Sequence, residues 1–367
     1  MKTYVEWIFL FVLVEAVLSA VQFLLRKKEI KPALRYVIIA LKAVFAIAFA
    51  GLVMAGPVFL RPVQPLLVAA YAVLLPDAFG DLIYSLICTF SKKERKFSVS
   101  KVLSLVLGVL FFVYGTVNMQ IVTPEYHQYT SSKITQTHKL VFVADLHVGS
   151  SQSFETTKKT IAKIKSENPD FIILGGDITD DYTTKEEMEE TYRLFGEIGV
   201  PVYYVDGNHE VVQHEKYMKN GLHYSYDELE KAIRDNGIKI LKDEFVEISP
   251  DLVLLGREDA AVPEQREASA SLSNPSPEKF FLIADHQPVK IKEHLELGVD
   301  LQLSGHTHAG QLFPLKAFYS AISPVYGDYE YDGGAIMNVS AGACGWRVPF
   351  RTDAHCHYEV VELSSAK

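Results

Sequence analysis

The chain has 367 residues, 49% of them hydrophobic and 22% charged, with a formal net charge of −9. Its mean hydropathy of +0.10 excludes intrinsic disorder for most of the chain, which needs low hydrophobicity. Three cysteines exclude both a disulfide framework and a four-thiolate zinc site.

Charge and apolar residues are unevenly placed. Residues 1–121 hold 13 Lys/Arg and 6 Asp/Glu, a net of +7, whereas residues 122–367 hold 23 and 39, a net of −16. An acidic second part argues against a nucleic-acid partner, which clustered Lys and Arg would have to hold. Four apolar runs fill the first part: Val5–Leu25, Tyr36–Leu60, Leu66–Phe90 and Val102–Val122. About 20 apolar residues span a bilayer core, so all four are long enough, and residues 1–122 read as a four-helix transmembrane anchor. The first run is not a cleaved leader, because its dense cluster Arg26-Lys27-Lys28 follows the apolar stretch instead of preceding it.

The short loops set the expected orientation. Arg26, Lys27, Lys28, Lys31 and Arg35 crowd one connection, and Lys92, Lys93, Arg95, Lys96 and Lys101 crowd another. The connection between them, residues 61–65, carries only Arg61. Basic loops stay on the cytoplasmic side, so everything after residue 122 is expected outside, on a multi-pass protein of the cell membrane. Within the runs, Asp77 and Asp81 share a helical face that Lys42 could pair with, a bundle-stabilising arrangement.

Residues 123–138 are polar and read as a linker, and residues 139–367 as a separate domain. From Lys139 onwards, short apolar runs alternate with amphipathic stretches. Buried strands are expected at 140–144, 171–174, 202–205, 252–255, 280–284 and 301–303, with helices at 155–165, 185–197, 226–236 and 289–297. That alternation implies an α/β layered core with largely parallel pairing. Residues 246–248, 336–339 and 358–363 add strands that complete a second sheet. The stretch 264–278, rich in Ser, Glu and Pro, reads as a surface loop or short helix.

Polar residues gather where the strands end, which is where open α/β sheets bind ligands. The sequence there reads Asp145-Leu146-His147, Gly175-Gly176-Asp177, Gly207-Asn208-His209-Glu210, Asp285-His286 and Gly305-His306-Thr307-His308. Any one of these is common in loops. Five in succession, each behind a strand, deliver carboxylates, an amide and imidazoles to one edge, a donor set suited to Mn²⁺, Fe or Zn²⁺.

This order of motifs resembles the calcineurin-like metallophosphoesterases, whose pattern runs D-x-H, G-D, G-N-H-[DE], H, G-H-x-H. The resemblance covers roughly residues 139–363. The run Gly305-His306-Thr307-His308-Ala309-Gly310-Gln311 further resembles the bacterial membrane-anchored branch, which includes lipid-headgroup hydrolases and usually reads G-H-T-H-G-G-Q; Ala309 departs from it. The resemblance implies two packed mixed β-sheets flanked by helices and a site for two divalent ions. Asp145, His147, Asp177 and His308 would hold the first ion, and Asp177, Asn208, His286 and His306 the second, with Asp177 bridging. Purple acid phosphatases carry a tyrosine where this chain has Asp180, so Mn²⁺ is expected before Fe or Zn²⁺. Two such ions clamp phosphoryl oxygens and make hydroxide available for in-line attack near neutral pH, and His209 would protonate the leaving oxygen.

Outside that set, Arg347 and Arg351 are candidates to grip a phosphate, and Trp346 and Phe350 to touch lipid or a substrate tail. Cys344 and Cys356 could pair in an oxidising exterior, while His355 and His357 read as alternating positions of a terminal strand. The expected function is hydrolysis of a phosphomono- or phosphodiester; tethering beside the bilayer makes a lipid or lipid-linked substrate a sensible candidate, and a soluble periplasmic nucleotide or sugar phosphate stays open. Two other classes stay open: a non-catalytic receptor or sensor with a structural metal site, and a transporter with an appended domain.

Overall fold

The computed structural model describes residues 2–25, 32–56, 63–94, 96–213, 224–262 and 272–366. Most of the first basic loop, residues 26–31, and most of the Ser/Glu/Pro-rich stretch, residues 263–271, lie outside the described residues. The chain divides into two units. The first runs to Val117 and takes in Leu312–Leu315; the second holds Asn118–Gln311 and Lys316–Lys367.

The first unit consists of helices α1 (Lys2–Leu25), α2 (Pro32–Ala55), α3 (Gln64–Phe90) and α4 (Phe97–Gln120). By length and composition, three segments among the described residues can cross a membrane: Ala33–Ala55, Gln64–Phe90 and Phe97–Gln120. That count is one fewer than the four apolar runs, although the first run does form a helix of 24 residues. The helices expose large apolar side chains such as Phe9, Val44, Val102 and Leu110, as lipid contact requires.

Charges inside this unit are paired. Lys42 Nζ lies 2.6 Å from Asp77 Oδ2 and 2.5 Å from Asp81 Oδ2, the pairing expected from the sequence. Lys101 Nζ approaches Asp77 Oδ1 at 3.1 Å and Glu15 Oε1 at 3.6 Å, and Gln22 donates to Asp77 at 2.7 Å. Each helix thus contributes a member to one network around the buried Asp77 carboxylate. In hydrocarbon an unpaired charge is costly, so the network holds the bundle in register.

The second unit is built on two six-stranded sheets. The first runs β1 (Val122–Ser131), β12 (Cys356–Ser365), β2 (His138–Val143), β3 (Phe171–Gly175), β4 (Val202–Val205), β5 (Lys239–Ile240). The second runs β10 (Gly327–Glu330), β11 (Ile336–Val339), β9 (Leu301–Ser304), β8 (Phe280–Ala284), β7 (Leu252–Gly256), β6 (Glu244–Ser249). Strands β2, β3, β4 and β5 are parallel, as are β7, β8, β9 and β11, so the crossovers carry helices. These are α5 (Phe154–Ser166), α6 (Lys185–Gly196), α7 (Tyr226–Asp235) and α8 (Ile291–Glu296).

The sequence sets each boundary chemically. Ser153 accepts the Thr156 N–H at the start of α5. Thr184 with Glu187, and Ser225 with Glu228, form reciprocal capping boxes at α6 and α7. Strand alternation then sorts the core. Leu140, Phe142 and Ala144 enter the apolar layer that also holds Leu252, Leu254, Leu282 and Leu303, whereas Val141 and Val143 pack with Ile161, Met188 and Phe195 of the helices. Burial on both faces is what makes these strands unbroken apolar runs.

The polar stretch 123–138, expected as a linker, enters the fold. Residues 122–131 form β1, an edge strand paired in parallel with β12 from Val122↔Cys356 to Ser131↔Ser365. An edge strand tolerates Pro124 and mostly polar residues, because one side of its backbone needs no partner. Two further short strands, β5 and β10, were also not evident from the pattern.

Candidate metal centre

Five strand ends converge. Asp145 and His147 follow β2, Asp177 follows β3, Asn208 and His209 follow β4, His286 follows β8, and His306 and His308 follow β9. The nitrogen and oxygen atoms of Asp145, His147 and His308 lie within 4.8 Å of one another, as do those of Asp177, His286 and His306. His147, Asp177 and His209 form a third such group within the same limit. The candidate ligands are therefore brought together, with Asn208 beside them on the residue preceding His209.

The backbone at these turns is unusual. Asp145 (φ 53°), His147 (φ 40°), Asp177 (φ 51°), His306 (φ 71°) and His308 (φ 50°) all occupy the left-handed region. Non-glycine residues rarely do so, and such strain persists where surrounding contacts over-determine it. Here Asp145 N–H donates to Gly176 O at 3.0 Å, His147 N–H to Asp177 O at 3.0 Å, and Gly305 N–H to His286 O at 2.8 Å. Glu210, buried, accepts from the N–H groups of Asp177, Thr179 and Gly207, each at 2.9 Å, and ties the second turn to the third.

Three of the four candidate imidazoles meet an oxygen on their outer side. His286 Nδ1 lies 2.9 Å from Gly175 O and His308 Nδ1 3.2 Å from Cys344 O, so both outer nitrogens donate. His147 Nδ1 faces Asp180 Oδ2 at 3.2 Å. Carbonyls accept only, which fixes the His286 and His308 protons at Nδ1 and turns their Nε2 atoms to the pocket, whereas His147 Nδ1 and Asp180 Oδ2 approach each other without a hydrogen bond. His147 Nε2 and His308 Nε2 then meet at 3.3 Å, with Asp145 Oδ1 at 3.5 Å from the latter. Asp177 stands between the two groups: its Oδ1 accepts the His209 N–H at 2.8 Å, while Oδ2 is 3.2 Å from His286 Nε2 and 3.8 Å from His147 Nε2.

Lone pairs facing lone pairs at such distances repel unless a cation lies among them. Asp145 Oδ1, Asn208 Oδ1 and His286 Nε2 are moreover buried with no hydrogen-bond partner. Buried polar atoms are ordinarily satisfied, so these inward-facing orphans fit metal ligation. The donor set, carboxylate and amide oxygens with imidazoles and no thiolate, suits divalent Mn, Fe or Zn.

The electrostatics agree. Burial, with His286 as an additional positive neighbour, lowers His306 to about 4; burial likewise lowers His308 to about 3 despite the Asp145 carboxylate. Both rings are therefore neutral, the form that ligates. At His286 burial opposes protonation, but the Asp177 carboxylate raises it well above the ordinary value, so positive charge is favoured between the two. Asp177 itself is driven well below the usual carboxylate range, burial being overcome by His286 and His209.

His209 sits at the same pocket as a wall. Its ring stands edge-on to His147, with centroids 5.1 Å apart, and to Trp346 at 5.2 Å. Burial opposes its protonation, yet Asp177 and Asp181 raise it to about 9.

The two arginine candidates part company. Arg347 stacks its guanidinium 3.9 Å over the Trp346 ring, which borders His209. Arg351 is fully buried, and the expectation that it grips a phosphate is corrected: its guanidinium donates to Ala354 O, Cys344 O, His308 O and Ala341 O. It braces the loop carrying His308 from behind. Phe350 is likewise buried, so it does not reach a lipid or a substrate tail. Cys344 and Cys356 are buried free thiols, so the pairing considered for them is not formed. Glu210 fills the acidic position of the G-N-H-[DE] motif and Asp180 lies three residues after Asp177; the sequence named both positions without the supporting contacts seen here.

Comparison with known proteins agrees with this geometry. Residues 138–310 match the calcineurin-like phosphoesterase family model. An uncharacterized metallophosphoesterase of Helicobacter pylori strain J99 is 25% identical over 60% of this chain and 58% of its own length. One of Campylobacter jejuni is 26% identical over 72% of this chain and 70% of its own. A transmembrane protein with metallophosphoesterase domain from Danio rerio is 24% identical over 72% of this chain and 63% of its own. The chain thus spans less than two thirds of the Helicobacter and Danio relatives. With the site's residues in the family's order, residues 138–310 are similar to the calcineurin-like phosphoesterases, and the relatives matched over this domain carry the name metallophosphoesterase.

Proposed function

We propose that the chain is a membrane-anchored phosphoesterase with two divalent ions, hydrolysing phosphomono- or phosphodiester bonds of a lipid or lipid-linked substrate. The observation that carries this is the inward convergence of Nε2 lone pairs and unpartnered oxygens around the Asp177 carboxylate. Asp145, His147, Asp177 and His308 would hold one ion, and Asp177, Asn208, His286 and His306 the other, with Mn²⁺ favoured. When bound, the two ions supply Lewis acidity toward phosphoryl oxygens and an activated water near neutral pH.

The chain's own groups do the rest. The carbonyls of Gly175 and Cys344 hold His286 and His308 in one tautomer and orientation, and Asp180 stands beside His147. His209, fixed through its backbone to Asp177, delivers a proton to the leaving oxygen. Arg347, held on Trp346, provides a cation at the rim for a second phosphate oxygen. The three segments able to span a bilayer tether the chain to a membrane, which supports a lipid or lipid-linked substrate. The basic residues of the two short loops support a catalytic domain on the outer side of the cell membrane.

The test uses the full chain in detergent with Mn²⁺, assayed on bis-p-nitrophenyl phosphate, p-nitrophenyl phosphate and extracted membrane lipids beside Asp177→Asn. Hydrolysis lost in the variant, with its fold intact by circular dichroism, is the expected result. Equal rates in both proteins would overturn the site. Release of phosphate or headgroup from the lipid extract decides the substrate class, and cytoplasmic labelling of cysteines placed in the domain would overturn the orientation.

A further inference from the structure

A second cluster of ligating side chains lies across β1 and β12. Glu125 belongs to β1, and His355 and His357 stand two residues apart at the start of β12, so the two imidazoles share one face. The parallel register sets Thr123 opposite His357 and Glu125 opposite Glu359, which brings the carboxylate of one strand onto the imidazoles of the next. Glu125 Oε2 lies 3.2 Å from His357 Nδ1 and 3.8 Å from His355 Nε2, and the three ligand atoms all fall within 4.8 Å of one another. A tetrahedral ion bound at about 2.0–2.2 Å separates its ligands by about 3.3–3.6 Å. The two sides of this triangle that meet at Glu125, 3.2 and 3.8 Å, bracket that spacing.

His357 points to a ligand independently. Its side chain is wholly buried, and its Nδ1 is a buried atom without a hydrogen-bond partner, turned toward Glu125 and His355. Its other nitrogen, Nε2, lies 2.9 Å from Glu359 Oε1, 3.1 Å from Ser340 Oγ and 3.2 Å from the Ala341 nitrogen. The Ala341 N–H donates to Nε2, with Glu359 and Ser340 beside it, so the ring is held by that nitrogen and presents its unpartnered Nδ1 outward. Glu359, also wholly buried, is held from its far side by His127 Nε2 at 2.6 Å. Tyr326 donates its hydroxyl to Glu125 at 2.9 Å. A carboxylate behind a histidine and a hydroxyl behind a glutamate are the outer contacts that orient metal ligands.

The position itself is costly without such a use. The face of β12 that carries His357 and Glu359 continues as Val361 and Leu363 into the apolar layer between the sheets. Period-2 alternation would place apolar side chains there, and polar groups at such a position lower stability unless fully satisfied. His355, 46% exposed at the rim, leaves one side of the triangle open to solvent.

We propose that Glu125, His355 and His357 bind a single zinc-class divalent cation, apart from the Asp145–Asp177–His308 pocket, with a solvent-accessible fourth position. Two imidazoles and one carboxylate are a zinc donor set, and an open position makes the ion exchangeable.

The experiment measures zinc in the full chain in detergent after dialysis against buffered Zn²⁺. A background carrying Asp177→Asn and His286→Ala weakens the first pocket. There, adding His355→Ala or Glu125→Gln should remove one zinc per chain and abolish the zinc-dependent rise in melting temperature. Unchanged zinc content on adding either substitution would overturn the proposal, as would a folded background that holds no zinc. Should the background not fold, the same count on the otherwise unaltered chain with and without His355→Ala reads the loss of one ion directly. His355 lies at the rim, so its replacement leaves the core intact. None of these outcomes depends on phosphoester hydrolysis.

Discussion

Gly305 offers a sharp test of the candidate metal centre, because a single added carbon should disturb it without replacing a ligand. A Cβ built there would stand 2.4 Å from Asp145 Oδ2 and 2.6 Å from the Ala144 Cβ. Ordinary carbon contacts need about 3.5 Å, so one side must retreat by about 1 Å. Ala144 is part of the packed layer between the sheets and cannot give way. The Asp145 carboxylate is pinned too, since Oδ2 accepts the His306 N–H at 2.9 Å. Gly305→Ala is therefore expected to shift Asp145 and His306 together, one from each ion's ligand set. Overpacking of this kind costs about 1–3 kcal/mol of stability, and a displacement of about 1 Å at a reacting centre can cost about 10²-fold in rate. The assay is bound Mn²⁺ per chain together with kcat on bis-p-nitrophenyl phosphate. A Gly305→Ala protein that keeps its full metal content and wild-type kcat would refute the placement of Asp145 beside the ions.

Two further predictions concern supporting carboxylates. Removing the carboxylate beside His147 by Asp180→Ala should weaken metal binding by about 10–100-fold, read as a rightward shift of the Mn²⁺ activation curve with kcat at saturating Mn²⁺ little changed. An unshifted curve would show that Asp180 does not orient His147. Far from the pocket, Asp251 accepts from Thr135 N–H and Oγ, Gln136 N–H, Ser249 Oγ and His138, stapling the loop before β2 to the second sheet. Burial would raise its pKa, but these donors drive it below the ordinary carboxylate range. A depressed carboxyl adds stability above its unfolded pKa of about 3.9, and that contribution fades as pH falls below about 4. Asp251→Asn should cost about 2–3 kcal/mol at neutral pH, with the gap closing under acid, as followed by thermal unfolding across pH; a gap independent of pH would contradict it.

The metal centre was legible because its chemistry restricts residue type at strand ends. Asp145, His147, Asp177, Asn208, His286, His306 and His308 are polar residues placed directly after apolar runs, and no packing requirement would put five such endings in a row. The strands themselves were legible for the opposite reason, since burial on both faces demands unbroken apolar stretches. Edge position erased that signal for β1, whose burial alternates only partly and whose Pro124 would exclude a central strand. Arg351 shows a second limit. An arginine that meets four carbonyls and an arginine that meets a phosphate look alike in sequence, because the partners at Ala341, Cys344, His308 and Ala354 are assembled only by the fold.

Backbone strain is the third thing the pattern hides, and it bears on the site most directly. Aspartate and histidine do not announce a left-handed conformation as glycine does, yet five candidate ligands adopt one. Ala309 makes the point from the other side. It stands where the resembling bacterial sequences carry glycine, and it occupies φ 49°, ψ 35°, a conformation costing a residue with a Cβ about 1–2 kcal/mol. The adjoining His308 is held by Arg351 through its carbonyl and by Cys344 O through its ring, so the surrounding contacts offset that cost and keep the nitrogen aimed inward. The aim of the His308 ring is thus secured by the buried arginine behind the loop, which is why a residue expected to touch substrate serves the candidate site from its far side.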